Sequence, residues 1–318
     1  MLNPHIFRAY DVRGRVGSDI NPEVFRLVGR AYGTLIRNNG GRTIAVGQDN
    51  RESSTGLKAG FVEGARAAGI DVVDIGTVTT PMLYFATAHW KLDGGANITG
   101  SHNPVEYNGV KMVHPGAAPL TEEEIQGLRE TIERGAFASG AGGLTTRSPR
   151  DDYFETIARI VRLERPRKVV ADAGNGIAGV YGPPLLRRLG CEVIELHCES
   201  DGRFPNHLPD PEDPENVVDL QQKVVEAGAD LGLAWDGDAD RVGVIDEVVR
   251  ELKARYETID IDGARVIFPE GGWALVRASN TNPYLTLRFE ADSEGKIADM
   301  KRVVYGALAR YPFVTVPS

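Results

Sequence analysis

The sequence predicts an α/β protein with two consecutive α/β domains, each built on a mixed or parallel sheet, followed by a small α+β C-terminal domain. Strand-like and helix-like segments alternate through most of the 318-residue chain, as they do in a sheet covered by helices. A segment rich in Gly, Ala, Ser and Thr at 135–150 interrupts this alternation, which then restarts. After residue 246, strands separated by Gly and Pro turns precede a closing amphipathic helix. These observations predict domains at 1–147, 148–247 and 248–318.

The first predicted domain opens with a helix after Asn21, a favourable N-cap, with Pro22 in the first turn. Apolar residues then recur at helical spacing. Two further helices are predicted at 54–69, where Gly69 would end the helix, and at 80–90. The predicted strands of this domain are 43–48, 70–76, 94–100 and 108–113.

The second predicted domain repeats the alternation, so the two halves look like two copies of one α/β architecture without a direct sequence repeat. Pro183 and Pro184 are expected to interrupt its first helix, because proline removes a helical donor. The predicted strands are 168–174, 191–197 and 229–235, and the helices are 176–190 and 214–228. In the C-terminal domain, strands are predicted at 264–268 and 284–291 and a helix at 294–311.

Composition and local sequence patterns argue against several classes of protein. The net charge of −9 argues against general binding to nucleic acid or to anionic membranes, which favours a basic surface. The N-terminus lacks a signal-peptide pattern, and apolar runs fall short of the ~20 residues of a membrane helix. Cys191 and Cys198 are expected to be free core thiols in a reducing cytoplasm. A soft-metal site with His197 is the alternative, but the spacing matches no zinc pattern.

The segment TGSHNP at 99–104 follows a predicted buried strand. Gly100 and the Asn103-Pro104 pair force a turn there, which would present Ser101 and His102 at the carboxyl end of the strand. Ligands of open α/β sheets bind at that end. A serine there can be a nucleophile if a base or a cation activates it, or it can simply form the turn.

The segment DGDADR at 236–241 places three aspartates at alternate positions after another predicted strand; we call Asp236, Asp238 and Asp240 the aspartate triad. Oxygen ligands of this kind suit Mg²⁺ or Mn²⁺. A calcium loop is an alternative, but its sixth position is Arg241 instead of glycine and its flanks read as strands. A solvated acidic loop is the second alternative. Arg241 next to the triad fits an anion bound to the cation.

Three more segments carry candidate binding residues. The segment RASNTNP at 277–283 combines a guanidinium fork with hydroxyl and amide donors in a turn, which suits a phosphate. An ordinary polar turn is its alternative. The segment FRAYDVRG at 7–14 contributes Tyr10 and Arg13, and NGVKMV at 108–113 places Lys111 in a short apolar strand. That lysine either extends to solvent or serves proton transfer or phosphate contact.

Together these segments resemble the α-D-phosphohexomutases, most closely their bacterial phosphomannomutase/phosphoglucomutase branch. The motifs FRAYDVRG, TGSHNP with NGVKMV, DGDADR and RASNTNP occur in the order of that family and span residues 7 to 283. The resemblance implies transfer of a phosphoryl group from Ser101 to a sugar monophosphate. The resulting bisphosphosugar would flip its orientation in the site, and its other phosphate would then be transferred to Ser101.

The resemblance also implies a role for each motif residue. Ser101 would carry the phosphoryl group, and the triad would hold Mg²⁺ with a phosphate oxygen on Ser101 as a further ligand. Arg241 would contact the phosphoserine region, while His102 and Lys111 would assist proton transfer and steady the phosphoryl group. Tyr10 and Arg13 would line the cleft. The phosphate that is not transferred would be held by Arg277, Ser279, Asn280 and Thr281.

The chain departs from the family at one place. Family members have four domains, and the third carries a sugar-reading loop that this sequence lacks: the chain passes from 247 directly to a segment like the start of the fourth domain. Loss of remote sugar contacts is expected to lower turnover and selectivity. It is also expected to leave exposed surfaces, which predicts a homodimer. The alternatives to a mutase are a non-catalytic sugar-phosphate-binding protein and a slow phosphatase.

Overall fold

The structure is a computed structural model that describes residues 2–246, 256–259, 264–278 and 285–309. The chain divides into two compact units, Met1–Val244 and Ile245–Ser318, which are described in turn. Within the described ranges, every helix is too short or too polar to cross a bilayer.

The N-terminal part of the first unit contains a six-stranded mixed sheet. Its strands are β1 (Asp11–Arg15), β2 (Thr43–Gln48), β3 (Asp71–Thr77), β4 (Gly94–Ile98), β5 (Tyr107–Val113) and β6 (Leu144–Thr146). They pair in the order β1-β5-β4-β2-β3-β6. The strands β4, β2, β3 and β6 run parallel, and β5 is antiparallel to both β1 and β4. The carboxyl ends of β2, β3 and β4 therefore lie at one edge of the sheet.

A second, four-stranded sheet follows in the same unit. Its strands are β7 (Lys168–Asp172), β8 (Glu192–Leu196), β9 (Leu231–Trp235) and β10 (Val242–Asp246), in the order β10-β9-β7-β8. This order repeats β5-β4-β2-β3 of the first sheet, with β9, β7 and β8 parallel as β4, β2 and β3 are. The prediction of two copies of one α/β architecture is confirmed. The domain boundaries at 147 and 247 stay predictions.

Seven helices of the first unit cover these sheets: α1 (Pro22–Asn38), α2 (Glu52–Ala67), α3 (Thr80–His89), α4 (Glu122–Arg134), α5 (Arg150–Ile160), α6 (Ala178–Arg188) and α7 (Val218–Ala227). The predicted cap of α1 is confirmed, since the Asn21 side chain accepts from the Val24 N–H at 2.9 Å. Helix α4 begins with a capping box formed by Thr121 and Glu124, which satisfies two backbone donors.

The core of the first sheet lies on both of its faces, because alternate residues of a strand point in opposite directions. Ile44 and Val46 of β2 belong to a cluster with α1, α2 and α4. Ala45 belongs to a second cluster with α3, against which Tyr153 and Tyr181 of the following helices also pack. Helix α3 thus lies between the two halves of the unit, a position that matters for the site.

In the part of the second unit that the structure describes, an antiparallel sheet is accompanied by a helix. This part contains β11 (Glu257–Ile259), β12 (Ala264–Ile267), β13 (Trp273–Ala278), β14 (Leu285–Glu290) and α8 (Glu294–Leu308). The strands pair in sequence order, and a small core joins Val266 and Val276 of the sheet to Met300 and Val304 of the helix. The predicted fold class, two α/β domains and an α+β domain, is confirmed.

Two local predictions need correction. Helix α6 continues through Pro183 and Pro184 and is not interrupted. The prolines lie in the middle of the helix and each lacks a backbone donor, but its last turn still closes with Leu189 N–H donating to the Leu185 carbonyl at 3.0 Å. The segment 135–150, expected only as a junction, contains β6, which pairs with β3. Its low hydrophobicity concealed a strand, because pairing at a sheet edge depends on the backbone.

Candidate active site and metal centre

Two loops that carry predicted site residues meet within the first unit. One follows β4 and contains Ser101, and the other joins β9 to β10 and contains the aspartate triad. The Ser101 hydroxyl donates to Asp236 Oδ2 at 2.6 Å. A Cβ added at Gly237 would lie 2.4 Å from the Ser101 carbonyl oxygen, so the loops approach closely enough to require glycine. Folding thus joins two motifs that are far apart in the sequence.

Ser101 is held in a strained position. It is 1% exposed, and its φ of 50° is in the left-handed region, which is uncommon for a residue with a Cβ. Its N–H donates to the Thr99 hydroxyl at 2.9 Å, and the Gly100 N–H donates to Asp49 Oδ2 at 3.1 Å. Such strain persists only where neighbouring contacts hold the backbone.

The strongest of these contacts come from Arg51, whose side chain is 1% exposed. Its Nε lies 3.3 Å from Asp49 Oδ2, and a Cβ at Gly100 would lie 2.5 Å from the same Nε. The guanidinium donates to four carbonyls of the serine loop, those of Ser101 (2.8 Å), Asn103 (2.6 Å), Pro104 (2.8 Å) and Tyr107 (3.2 Å). One buried cation therefore determines the path of the whole loop.

The aspartate triad concentrates negative charge where there is little water. Asp236 and Asp238 are 0% exposed, and Asp240 lies at the surface. Lys111 on β5 forms ion pairs with Asp238 at 2.8 Å and with Asp240. Burial lowers the pKa of Lys111, but the two carboxylates outweigh this effect and raise it. The ammonium group therefore stays charged at neutral pH.

The two buried carboxyl groups titrate differently. Burial, and after it the charge of Asp238, raises the pKa of Asp236 well above its ordinary value. Burial also acts to raise the pKa of Asp238, but the charge of Lys111 and hydrogen bonds from Lys111 and Thr80 lower it instead. A further positive charge at the triad would favour ionisation of both buried carboxyl groups.

The triad fits a hard divalent cation. One ligand oxygen from each aspartate lies within 4.8 Å of the others. Among the described residues, Asp238 Oδ1 is buried without a hydrogen-bond partner, which leaves one acceptor free for a cation. A set of carboxylate oxygens is typical of Mg²⁺ or Mn²⁺ sites. The flanks are β9 and β10, as predicted, and not the helices of a calcium-binding EF-hand.

His102 and Arg241 border the triad. His102 Nδ1 lies 3.4 Å from the Ser101 hydroxyl oxygen. Burial, with the charges of Arg241 and Arg13, lowers the pKa of His102 and favours neutral imidazole. The Arg241 N–H donates to Asp236 Oδ1 at 3.1 Å, while its guanidinium pairs with Glu212 at 2.9 Å.

The remaining predicted residues are less closely connected to this centre. Arg13 on β1 pairs with Asp11 at 2.6 Å, and the backbone of Asp11 is opposite Lys111 in the sheet. The Tyr10 side chain is 74% exposed. Arg277 belongs to β13, but its side chain and the whole of Ser279, Asn280 and Thr281 lie outside the described residues.

Sequence reasoning missed two residues at the centre, Arg51 and Thr80. Both follow strands of the first sheet: Arg51 comes after β2 and Thr80 after β3. The rule that found Ser101 and the triad, that polar residues after parallel strands collect at one sheet edge, applies equally to these positions. The rule could have indicated these two positions, because other polar residues, Gln48-Asp49 and Thr79, also occur where these strands end.

A charged histidine anchors the loop that contains Glu212. His207 Nδ1 lies 2.8 Å from the Leu208 carbonyl oxygen, and Nε2 lies 3.2 Å from Asp172 Oδ2. Because both partners accept, both ring nitrogens must donate, which requires the protonated imidazolium. Burial lowers the pKa of His207, but hydrogen bonds to Asp172 and Leu208 outweigh it and raise the pKa.

A His207→Gln variant is expected to unfold more easily by about 1–3 kcal/mol at pH 6, because buried Asp172 loses a charged donor. The folded-state pKa of His207 is raised, so its stabilisation is full below the unfolded-state pKa and declines as pH rises through the folded-state pKa. Urea unfolding at pH 6 and pH 9 measures this difference. We expect a smaller gap at pH 9, with exposed His5→Gln as control; a gap that widens with pH would contradict the assignment.

Comparisons with known proteins match the chain in three segments. Residues 4–139 match the family model described as phosphoglucomutase/phosphomannomutase, alpha/beta/alpha domain I. Residues 151–249 match its alpha/beta/alpha domain II, and 209–307 match its C-terminal domain.

Individual relatives agree with these models. The chain is 48% identical over 244 residues to a phosphomannomutase/phosphoglucomutase of Pseudomonas aeruginosa, covering 77% of this chain and 52% of the relative. It is 43% identical over 242 residues to a phosphoglucomutase of Neisseria gonorrhoeae, covering 76% and 52%. The chain thus spans about half the length of these relatives. A crystal structure of a family protein from Burkholderia thailandensis superposes with a TM-score of 0.76 at 30% identity, covering 100% of both chains.

Proposed function

This chain belongs to the phosphoglucomutase/phosphomannomutase family, and we propose that it transfers a phosphoryl group between Ser101 and a hexose phosphate. The observation that carries the proposal is the contact of the Ser101 hydroxyl with Asp236, 2.6 Å away, within a triad suited to a divalent cation. The overall reaction would be interconversion of a hexose 1-phosphate and its 6-phosphate through a bisphosphosugar.

Phosphoryl transfer depends on positioning and charge neutralisation more than on covalent assistance. In the forward step, the P–O bond to Ser101 Oγ breaks as a bond to the sugar hydroxyl oxygen forms. Neutral His102, 3.4 Å from that Oγ, is suited to accept the hydroxyl proton. Lys111 would place its positive charge against the phosphoryl oxygens. In the second half, the P–O bond to the other sugar oxygen would break as a bond to Ser101 Oγ forms, and His102 would return its proton to the sugar oxygen that is released.

We assign Mg²⁺ as the cofactor, held by the three aspartates of the triad with a phosphate oxygen on Ser101. When bound, it would neutralise negative charge on the phosphoryl group. Arg241 is proposed to contact the phosphoserine region, for which its guanidinium would leave the exposed Glu212. Such a surface pair costs little to break.

The rest of the substrate would be held by residues farther from the triad. Tyr10 and Arg13 are proposed to line the cleft. The phosphate that is not transferred is assigned to Arg277, Ser279, Asn280 and Thr281. Their donor chemistry supports this assignment, since a guanidinium fork, hydroxyls and an amide match phosphate oxygens.

We further propose that the chain carries the first, second and C-terminal domains of its family and lacks the sugar-reading third. The overlap of the last two family matches, at 209–249, supports this because it leaves no stretch between them. Sugar selectivity is then expected to be weaker than in relatives that contain the third domain.

A homodimer is proposed to cover the surface left by the missing domain. Val242 and Val244, 53% and 56% exposed, lie on β10 at the edge of the second sheet, where pairing or burial would stabilise them. Sedimentation at concentrations on the order of tens of micromolar should reveal a reversible monomer–dimer equilibrium. A single monomeric species across that range would contradict the proposal.

The function is tested with the unmodified protein. Incubation with glucose 1,6-bisphosphate and Mg²⁺ is expected to leave one phosphate on the protein by intact mass, localised to Ser101 by peptide mapping. Glucose 1-phosphate and mannose 1-phosphate should then be converted to their 6-phosphates. A coupled assay for each product measures the rate and the selectivity.

Two alternatives predict different outcomes of the same experiment. A non-catalytic sugar-phosphate-binding protein would bind the sugar phosphates in calorimetry without phosphorylation of Ser101 or product formation. A slow phosphatase would release inorganic phosphate from phospho-Ser101 without forming the 6-phosphate. Either result would replace the mutase assignment.

A further inference from the structure

A buried relay of three polar side chains ends on the triad. It runs from Asn97 on β4 through Thr80, at the start of α3, to Asp238, and all three residues are 0% exposed. Asn97 Nδ2 lies 2.7 Å from Thr80 Oγ1, which lies 2.6 Å from Asp238 Oδ2. The first two residues belong to the first sheet and its helix, and the third belongs to the β9–β10 loop.

The direction of the hydrogen bonds in this relay follows from the number of protons that each group can donate. A threonine hydroxyl has one hydrogen, and an ionised carboxylate can only accept. The Thr80 proton therefore goes to Asp238 Oδ2, and Asn97 must offer its N–H to the hydroxyl oxygen. The Asn97 N–H thus donates to the Thr80 hydroxyl oxygen while the Thr80 hydroxyl donates to Asp238.

The two oxygens of Asp238 consequently differ. Oδ2 accepts from Thr80 and from Lys111, while Oδ1 is buried without a hydrogen-bond partner among the described residues. The Lys111 side chain is long and flexible. The Thr80 side chain lies on a helix and rotates about a single, restricted χ1 torsion. The Thr80 N–H also donates to the Asp238 carbonyl at 2.9 Å, so Thr80 holds both the backbone and the side chain of Asp238.

We infer that Thr80 is a positioning residue of the metal centre: its hydroxyl holds Asp238 Oδ2, so that Oδ1 is the oxygen presented to the cation. Donors that orient a ligand in this way typically affect metal affinity by about 10–100-fold. The inference deepens the proposed function and rests on its metal site. It implies that helix α3 of the first domain contributes to cation binding in the second domain.

The test measures Mn²⁺ affinity by electron paramagnetic resonance in the whole protein without substrate, because Mn²⁺ shares the oxygen preference of Mg²⁺. Thr80→Val keeps the shape of the side chain and removes the hydroxyl, and we expect Mn²⁺ binding weaker by about 10–100-fold. Thr80→Ser keeps the hydroxyl and should bind almost as the unmodified protein does. The Thr80→Ser and Thr80→Ala pair, which differ only by the hydroxyl, repeats the comparison.

Thr87→Val is the matched control. Thr87 lies on the same helix and is equally buried, but its hydroxyl donates to the Leu83 carbonyl at 2.9 Å. It should lose stability without losing Mn²⁺ affinity. Unchanged affinity in Thr80→Val and Thr80→Ala, an equal loss in Thr80→Ser, or an equal loss in Thr87→Val would each overturn the inference. Failure of both Thr80→Val and Thr80→Ala to fold would assign Thr80 to folding and overturn it as well.

The readouts separate this inference from the proposed function. Mn²⁺ binding that depends on the Thr80 hydroxyl, without any phosphoryl transfer, would support the inference and remove the mutase. Phosphorylation of Ser101 without Mn²⁺ binding to the unmodified protein would support the transfer and overturn the inference.

Discussion

A Ser101→Ala variant is expected to lose the proposed mutase activity by on the order of 10³-fold or more, because the oxygen proposed to carry the phosphoryl group is gone. The three aspartates remain, so Mn²⁺ binding should persist. Coupled assays of 6-phosphate formation measure the activity, and intact mass after incubation with glucose 1,6-bisphosphate should detect no added phosphate. Full mutase activity in this variant would remove the assigned mechanism.

The backbone at this position calls for a second variant. Because Ser101 has a φ of 50°, alanine there keeps the strain, whereas glycine adopts this conformation without steric cost. Ser101→Gly should be equally inactive. Inactivity of both variants with retained Mn²⁺ binding separates loss of the hydroxyl from loss of the loop. Ser200→Ala, at a hydroxyl that accepts from Asn50 at 2.9 Å, is the serine control and should stay active.

An Arg51→Met variant is expected to reduce the free energy of unfolding by about 3–5 kcal/mol, because it leaves buried Asp49 without its cation. It also leaves four loop carbonyls without their donor. Folded domains are commonly stable by about 5–15 kcal/mol, so the variant should fold but hold the Ser101 loop poorly. Urea unfolding measures the stability. The extent of Ser101 phosphorylation measures whether the loop still holds Ser101 in position.

Arg51→Lys and Arg203→Met sharpen this test. Lysine keeps a charge for Asp49 but lacks the planar fork that reaches four carbonyls, so an intermediate loss is expected. Arg203 pairs with Asp201 at 2.5 Å but is 71% exposed, so its removal should leave the free energy of unfolding almost unchanged. A loss in Arg51→Met no larger than in Arg203→Met would contradict the proposed role of the buried guanidinium.

Local patterns predicted most of the elements, because periodicity and caps act over a few residues. The helix after Asn21 and the strands 43–48 and 108–113 are found within a residue or two of their predicted positions. Strand β6 was missed since its residues are exposed and only its partner β3 identifies it.

The site residues divide in the same way, into those with a local sequence signal and those defined by remote contacts. Ser101 and the triad were found because their residue types, and their positions after strands, indicate their chemistry. Arg51 and Thr80 also follow strands, so the same rule applies to their positions, but nothing local shows their roles. A buried arginine cannot be told from an exposed one, or a threonine that donates to Asp238 from an ordinary N-terminal threonine. Their partners lie 50 residues or more away in the sequence, the Ser101 carbonyl for Arg51 and Asp238 for Thr80.

The sequence by itself determined the fold class, the family resemblance and the identity of the groups that a phosphoryl transfer would need. Only the tertiary structure decided how these groups meet: that the Ser101 hydroxyl contacts Asp236, that Lys111 lies against Asp238 and Asp240, and that Thr80 and Lys111 donate to the same oxygen of Asp238. The reason is physical. Residue type sets what a side chain can do, whereas burial and distance, which set its charge, strain and orientation, arise only when remote strands pack together.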